Sequence, residues 1–317
     1  MLSTQQINDF EAQGYLVLEQ ALTPKTLDAV IAEYTELLQS LCQSWVDQGL
    51  IDRSILQRSF VEQIKIITTS ELDYFQPMDI SLPLGQCQPD TPIHLGQAVF
   101  DMMRDPQLLA AVNCLIGPEI TSNPIQHVRI KPPLKMVDGE ENRAHIVRTD
   151  WHQDRAVALE QADKTRMVTT WIAITDATPD NGCLQVIPGS HRQAMLPHCP
   201  SSQLGIPESL LDLDKATPLP VKAGGAIIFH PLTVHCSLDN TSDHVRWSFD
   251  LRYNVTGDPT GRPKFPDFIV KSAANPAAEL TSADAWARLW IKTRSNLCLP
   301  QEPTAFHRWD GSHEVCA

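Results

Sequence analysis

Apolar positions in the first part of the chain recur at three- and four-residue steps. Leu27, Val30, Ile31, Tyr34, Leu37, Leu38 and Leu41 fall on one helical face. Thr23-Pro24 offers an N-cap followed by a first-turn proline, and Gly49 offers a C-terminal stop. The spacing therefore predicts a helix from Pro24 to about Gln48. The short apolar run Gly14–Leu18 before it predicts a strand. A second helical pattern covers 95–115, through Val99, Met102, Met103, Leu108, Leu109, Val112 and Leu115, and ends at Gly117-Pro118.

The period changes near residue 120. Ile125–Ile130, Val168–Ile174, Leu184–Ile187, Ala226–Phe229 and Val245–Tyr253 are short runs rich in β-branched or aromatic residues. Turn residues separate them: Pro132-Pro133, Pro179-Asp180-Asn181-Gly182, Pro188-Gly189-Ser190 and Gly224-Gly225. Such punctuation predicts an antiparallel sandwich or barrel. Helical character returns at Ala283–Ile291, where Trp286 and Trp290 are four apart. The polar stretches 134–149 and 196–220 read as loops. We expect a single domain over 1–317: a helical part at about 1–118, an all-β core at about 119–256 and a C-terminal helical extension at about 257–317.

Composition narrows the function. Hydrophobic residues make up 42% of the chain, enough for a sizeable core. The net charge of −13, without a run of Lys or Arg, excludes a phosphate-binding stripe, so no nucleic-acid partner is expected. No apolar run reaches the ~20 residues that span a bilayer, and no membrane partner is expected. The first residues lack a charged region ahead of an apolar stretch. Eight cysteines without a C-x-x-C pair read as scattered reduced thiols in a cytoplasmic protein. A small-molecule substrate is the expected partner, with monomer or homodimer left open.

Two segments carry candidate chemistry. In Trp151-His152-Gln153-Asp154, a histidine and an aspartate are two residues apart, which on a strand puts both on one face. His235, in Phe229-His230-Pro231 through His235-Cys236-Ser237, can supply a third ligand from a distant strand. Two histidines and one carboxylate with open positions point to non-haem iron(II). Arg246 opens an apolar strand. Its buried guanidinium needs an anion, either a structural Asp or Glu or the far carboxylate of a bound 2-oxo acid.

The chain resembles the phytanoyl-CoA dioxygenase family. Lys131-Pro132-Pro133, Trp151–Asp154, Asn181–Leu184 through Ile187–His191, and Phe229–Ser237 with Asn240 and Arg246 carry the likeness, in order, over roughly 10–255. The resemblance implies a double-stranded β-helix of jelly-roll or cupin type with flanking helices. It implies iron(II) held by His152, Asp154 and His235, with 2-oxoglutarate as cosubstrate and dioxygen as oxidant. It places 2-oxoglutarate against Arg246, Ser237 and Trp171, with help from Gln153, and Lys131 and His127 as further candidates. The implied reaction hydroxylates an unactivated C–H bond of a small organic or natural-product-type substrate. Desaturation, epoxidation, cyclisation or endoperoxide formation on the same cofactors stays open, as does a catalytically silent binding protein. Lys135, Arg143, Arg148 and Arg155 are the residues an acyl-CoA's phosphates would require. His230 and His191 read as structural, and His307 and His313 as surface residues.

Overall fold

The computed structural model describes residues 1–70, 72–83, 85, 87–299 and 306–316. Helix α1 (Thr4–Gln13) begins with a reciprocal cap between Ser3 and Gln6. Gly14, at φ 82°, turns the chain into strand β1 (Tyr15–Leu18). A Cβ there would collide with His191 and Thr233, so the turn needs glycine on two counts. Helix α2 (Pro24–Asp47) follows the predicted spacing, with the Thr23 hydroxyl accepting from the Thr26 N–H and Val30, Tyr34, Leu38 and Cys42 buried. Helices α3 (Phe60–Thr69) and α4 (Phe75–Met78) come next.

The pattern over 95–115 is two helices, not one: α5 (Gln97–Met103) and α6 (Pro106–Ile116). The break lies at Asp105-Pro106. Pro106 has no N–H to continue the ladder, and the Asp105 carboxylate caps α6 by accepting from Gln107 and Leu108. Its other oxygen accepts from the Thr23 and Thr26 hydroxyls, tying the start of α2 to the start of α6.

Strands β2 (Glu119–Lys131), β3 (Met167–Ala173), β4 (Leu184–Val186), β5 (Cys199–Pro200), β6 (Leu204–Gly205), β7 (Thr217–Leu219), β8 (Ala226–Phe229), β9 (His235–Ser237), β10 (Arg246–Val255) and β11 (Phe268–Ser272) follow. A six-stranded antiparallel sheet runs β1-β8-β3-β10-β2-β11, a smaller one runs β7-β4-β9, and β5 pairs with β6. One face of the large sheet presents Val128, Ile130, Ile172, Ile228, Trp247, Phe249, Leu251 and Tyr253 to the helices. Helix α7 (Ala283–Leu297) joins that core through Trp286 and Trp290. The other face looks toward the small sheet, where Trp171, Ile227 and Phe229 pack with Leu184 and Val186. The candidate site lies between the sheets. Among the described residues no helix is long and apolar enough to cross a membrane.

The cysteines correct one expectation. Cys199 and Cys316 form a disulfide across 117 residues, so the thiols are not all reduced, and the ground for placing the chain in a reducing compartment is withdrawn. The chain's end reaches Cys199 because residues 306–316 lie against the loop that follows His152. Trp309 donates its indole N–H to Ala156 and lies with its ring tilted, 5.1 Å from the His198 ring, and Arg308 pairs with Asp163. Residues 300–305 of the expected C-terminal extension lie outside the described residues.

Candidate metal centre

His152 and His235 exchange backbone hydrogen bonds of 2.9 and 3.0 Å as an isolated antiparallel bridge. This bridge, and not a common strand, makes the site. His152 lies outside any named strand, and Asp154 opens a short 3-10 turn, Asp154–Val157. One donor atom from each of His152, Asp154 and His235 lies within 4.8 Å of the others, and all three residues are buried. Each imidazole donates from Nδ1 to a backbone carbonyl, His152 to Asp150 at 2.8 Å and His235 to Thr233 at 3.0 Å. These contacts fix the tautomer that leaves Nε2 as the free donor on both rings. Burial, with His152 beside it, pulls the His235 imidazole down to about 3, so it is neutral, as a metal ligand must be. Burial pushes the Asp154 carboxyl up, but the Arg252 guanidinium and the two histidines outweigh it and hold the group well below the usual carboxylate range.

A second feature shares this narrow cavity. Arg246 is fully buried, with its guanidinium 5.3 Å over the Trp171 ring. Nη1 donates to Ser248 at 2.6 Å, while among the described residues Nε and Nη2 have no partner, nor does the Trp171 indole N–H. No carboxylate pairs with Arg246 among the described ion pairs, so its alternative as half of a structural salt bridge loses its partner. The Ser237 hydroxyl accepts from Lys131 Nζ at 2.7 Å and from the Thr149 N–H at 2.8 Å. Burial, reinforced by Arg246, lowers the Lys131 ammonium well below its ordinary value.

His152, Asp154, His235, Trp171, Ser237 and Arg246 thus line one cavity, and Lys131 reaches it through Ser237. Gln153 and His127 are placed differently. The Gln153 amide donates to the Leu232 carbonyl and accepts from the Leu196 N–H, bracing the loop between two candidate ligands. His127 points to Asp79, with its ring 4.8 Å from His145. His230 accepts from the Leu232 N–H through Nδ1 and is not part of the metal cluster.

Four cavity residues escaped the sequence reading: Arg129, Thr169, Asp250 and Arg252. Arg129 pairs with Asp250, and Arg252 with Asp154. A signal for two of them was present. Arg246, Ser248, Asp250 and Arg252 alternate with Trp247, Phe249, Leu251 and Tyr253, giving one polar face and one apolar face.

Two sheets enclosing paired imidazoles and a carboxylate, with an unanswered guanidinium deeper in the cavity, define a non-haem iron oxygenase that takes an anionic cosubstrate. The chain belongs to the phytanoyl-CoA dioxygenase family, whose model matches residues 10–248. It is a 2-oxoglutarate-dependent non-haem iron dioxygenase and uses iron(II), 2-oxoglutarate and dioxygen. A phytanoyl-CoA dioxygenase domain-containing protein 1 from Danio rerio is 27% identical over 277 residues, covering 78% of this chain and 88% of the relative. The non-heme monooxygenase ThoJ superposes with a TM-score of 0.57 at 20% identity, covering 92% of this chain and 97% of ThoJ. EctD from S. alaskensis, solved with 2-oxoglutarate and 5-hydroxyectoine, gives 0.55 at 22% identity, covering 87% and 86%. At these identities the structural likeness is one of fold.

Proposed function

We propose that His152, Asp154 and His235 hold the iron(II), and that Arg246 with Ser237 holds the far carboxylate of 2-oxoglutarate. The observation that carries this is Arg246: fully buried, with two unpartnered donors, in the cavity of the triad. A planar fork of that kind matches a carboxylate. Trp171 supports the guanidinium from below, and Lys131 orients the Ser237 hydroxyl. Gln153 contributes by bracing the ligand loop. In this reading the two sheets are the halves of a double-stranded β-helix and 1–317 acts as one oxygenase domain.

When bound, iron and 2-oxoglutarate supply the oxidising power: dioxygen gives one oxygen atom to substrate and one to succinate, with release of carbon dioxide. The chain's own residues orient one C–H bond and shield it. The substrate we favour is a small organic or natural-product-type molecule, hydroxylated at an unactivated carbon. Of the residues that would meet the phosphates of an acyl-CoA, Lys135, Arg143 and Arg155 are engaged elsewhere, and Arg148 alone faces the cleft beside the metal cavity. Lys135 pairs with Asp243, Arg143 with Glu141 and Asp73, and Arg148 lies 3.9 Å from Asp150. Arg155 points inward to the Ala162 and Thr165 carbonyls. A cleft of about 280 Å³, lined by Arg148, Trp151, Ile206 and Glu208, shares Thr149, Cys236 and Ser237 with the metal cavity.

The test is loss of metal. His152→Ala and His235→Ala should lose bound iron and substrate-stimulated succinate release while keeping the parent's circular dichroism, and His230→Ala should keep both. Near-parent turnover in either ligand variant would sink the assignment. Product mass separates hydroxylation, a gain of one oxygen, from desaturation, a loss of two hydrogens.

A further inference from the structure

Asp154 is gripped from both sides by residues that face each other across a β ladder. Arg252 on β10 and Thr169 on β3 are register partners, and both side chains enter the cavity. The Thr169 hydroxyl donates to Asp154 Oδ2 at 2.5 Å. The Arg252 Nη2 donates to Oδ1, and its Nη1 is fixed by the Ile125 carbonyl at 2.9 Å. Oδ1 is the oxygen that approaches His152, 3.6 Å from its Nε2.

We infer that Thr169 and Arg252 form a cross-strand clamp that makes Asp154 a one-oxygen ligand and so keeps adjacent metal positions open for the cosubstrate. The inference rests on the reading that the triad holds iron. Each carboxylate oxygen has two lone pairs. The clamp takes one on each oxygen, leaving Oδ1 a free pair toward His152 and holding Oδ2 back on Thr169. Two imidazoles and one oxygen fill three of six octahedral positions. A carboxylate free to rotate can bind through both oxygens and fill a fourth position, so a bidentate 2-oxo acid must either displace that second oxygen or take the last two positions and leave none for dioxygen. Support for metal affinity alone does not account for Arg252, because a guanidinium beside a dication repels it. Thr169 and Arg252 are positioning residues: they act on the reaction through Asp154.

The repulsion gives the clamp a readout that general structural support would not move. In the anaerobic, iron(II)-loaded full chain, 2-oxoglutarate is titrated and the visible charge-transfer absorption of the iron–oxo-acid chelate is followed. Iron affinity is titrated separately without cosubstrate, and circular dichroism and melting report the fold. Thr169→Val and Arg252→Gln should each need about 10-fold more 2-oxoglutarate for half-saturation, the loss expected from one buried hydrogen bond. Their iron affinity should be unchanged, or tighter for Arg252→Gln, and Arg252→Lys should fall between Gln and the parent. A folded Thr169→Val that titrates like the parent overturns the clamp, since Arg252 would then act by charge alone. Loss of iron from Thr169→Val, in step with loss of the absorption, also overturns it, reducing the pair to ordinary support. If the parent gives no such absorption while binding iron, the metal reading falls first and the clamp with it.

Discussion

Arg246 shows how one side chain's surroundings can specify what it binds. Burial, with Arg129 adding to it, lowers its guanidinium to about 9 against the opposing pull of Asp250, still charged at neutral pH; among the described ion pairs no carboxylate bonds to it, and Asp250 pairs with Arg129 instead. A buried cation with donors left open is costly, which is why we propose that an anionic cosubstrate completes it. Arg246→Ala should therefore raise the KM for 2-oxoglutarate by roughly 30-fold or more, the effect of losing about 2–5 kcal/mol of charge-assisted contact. The KM for substrate should move far less. Steady-state kinetics with each varied in turn checks this, and an unchanged 2-oxoglutarate KM would place the cosubstrate elsewhere. At this scale much was legible. His152, Asp154, His235, Ser237, Trp171 and Arg246 were all readable as candidates, and the structure gathers them. Arg252 and Thr169 were not picked out, because a charged or hydroxyl residue on a strand has many uses until its partner is known, and their partner arrives from a separate loop.

Elements were legible where one signal dominated. The α2 helix has a clean apolar stripe and both end signals, and it appears within a residue or two of its expected bounds. The α5–α6 break was hidden because apolar spacing continues across it, while the decisive capping bond belongs to Asp105 alone. The segment carrying His152 and Asp154 was the least legible. It was expected to be a strand, but a bridge to His235, braces from Gln153 and an overlying loop determine its path. His198 belongs to that loop, and its Nε2 accepts from the Gln153 N–H at 2.9 Å, directly between the two candidate ligands. Burial lowers the His198 imidazole to about 4. Between pH 6.5 and 4 the unfolded chain holds the proton and the folded chain does not. The unfolded state thus binds more protons, and stability falls as pH drops through that window. Protonation also removes the acceptor that Gln153 uses. His198→Gln, whose amide oxygen accepts without titrating, should show a shallower fall in Tm from pH 6.5 to 4 than the parent. Parallel curves would assign the acid sensitivity to other groups.

Across the whole molecule, residues 306–316 are fastened near the candidate metal centre. The Cys199–Cys316 disulfide closes a loop of 117 residues, and such a link typically contributes about 2–4 kcal/mol. Cys316→Ser should lower Tm accordingly, and reductant added to the parent should have the same effect; a parent Tm indifferent to reductant would mean the thiols are not linked. Nothing in the cysteine spacing announced this pair, because partners so distant in sequence are set by tertiary packing. The alternation along β10 has a consequence of a different kind. Sliding that strand by one residue against β2 or β3 would drive Arg246, Asp250 and Arg252 into the helix-covered core and turn Trp247, Phe249, Leu251 and Tyr253 toward the cavity. The strand therefore proofreads its own pairing. The polar side chains that line the candidate cavity are also those that make a misaligned copy untenable, so correct pairing and assembly of the cavity are one event.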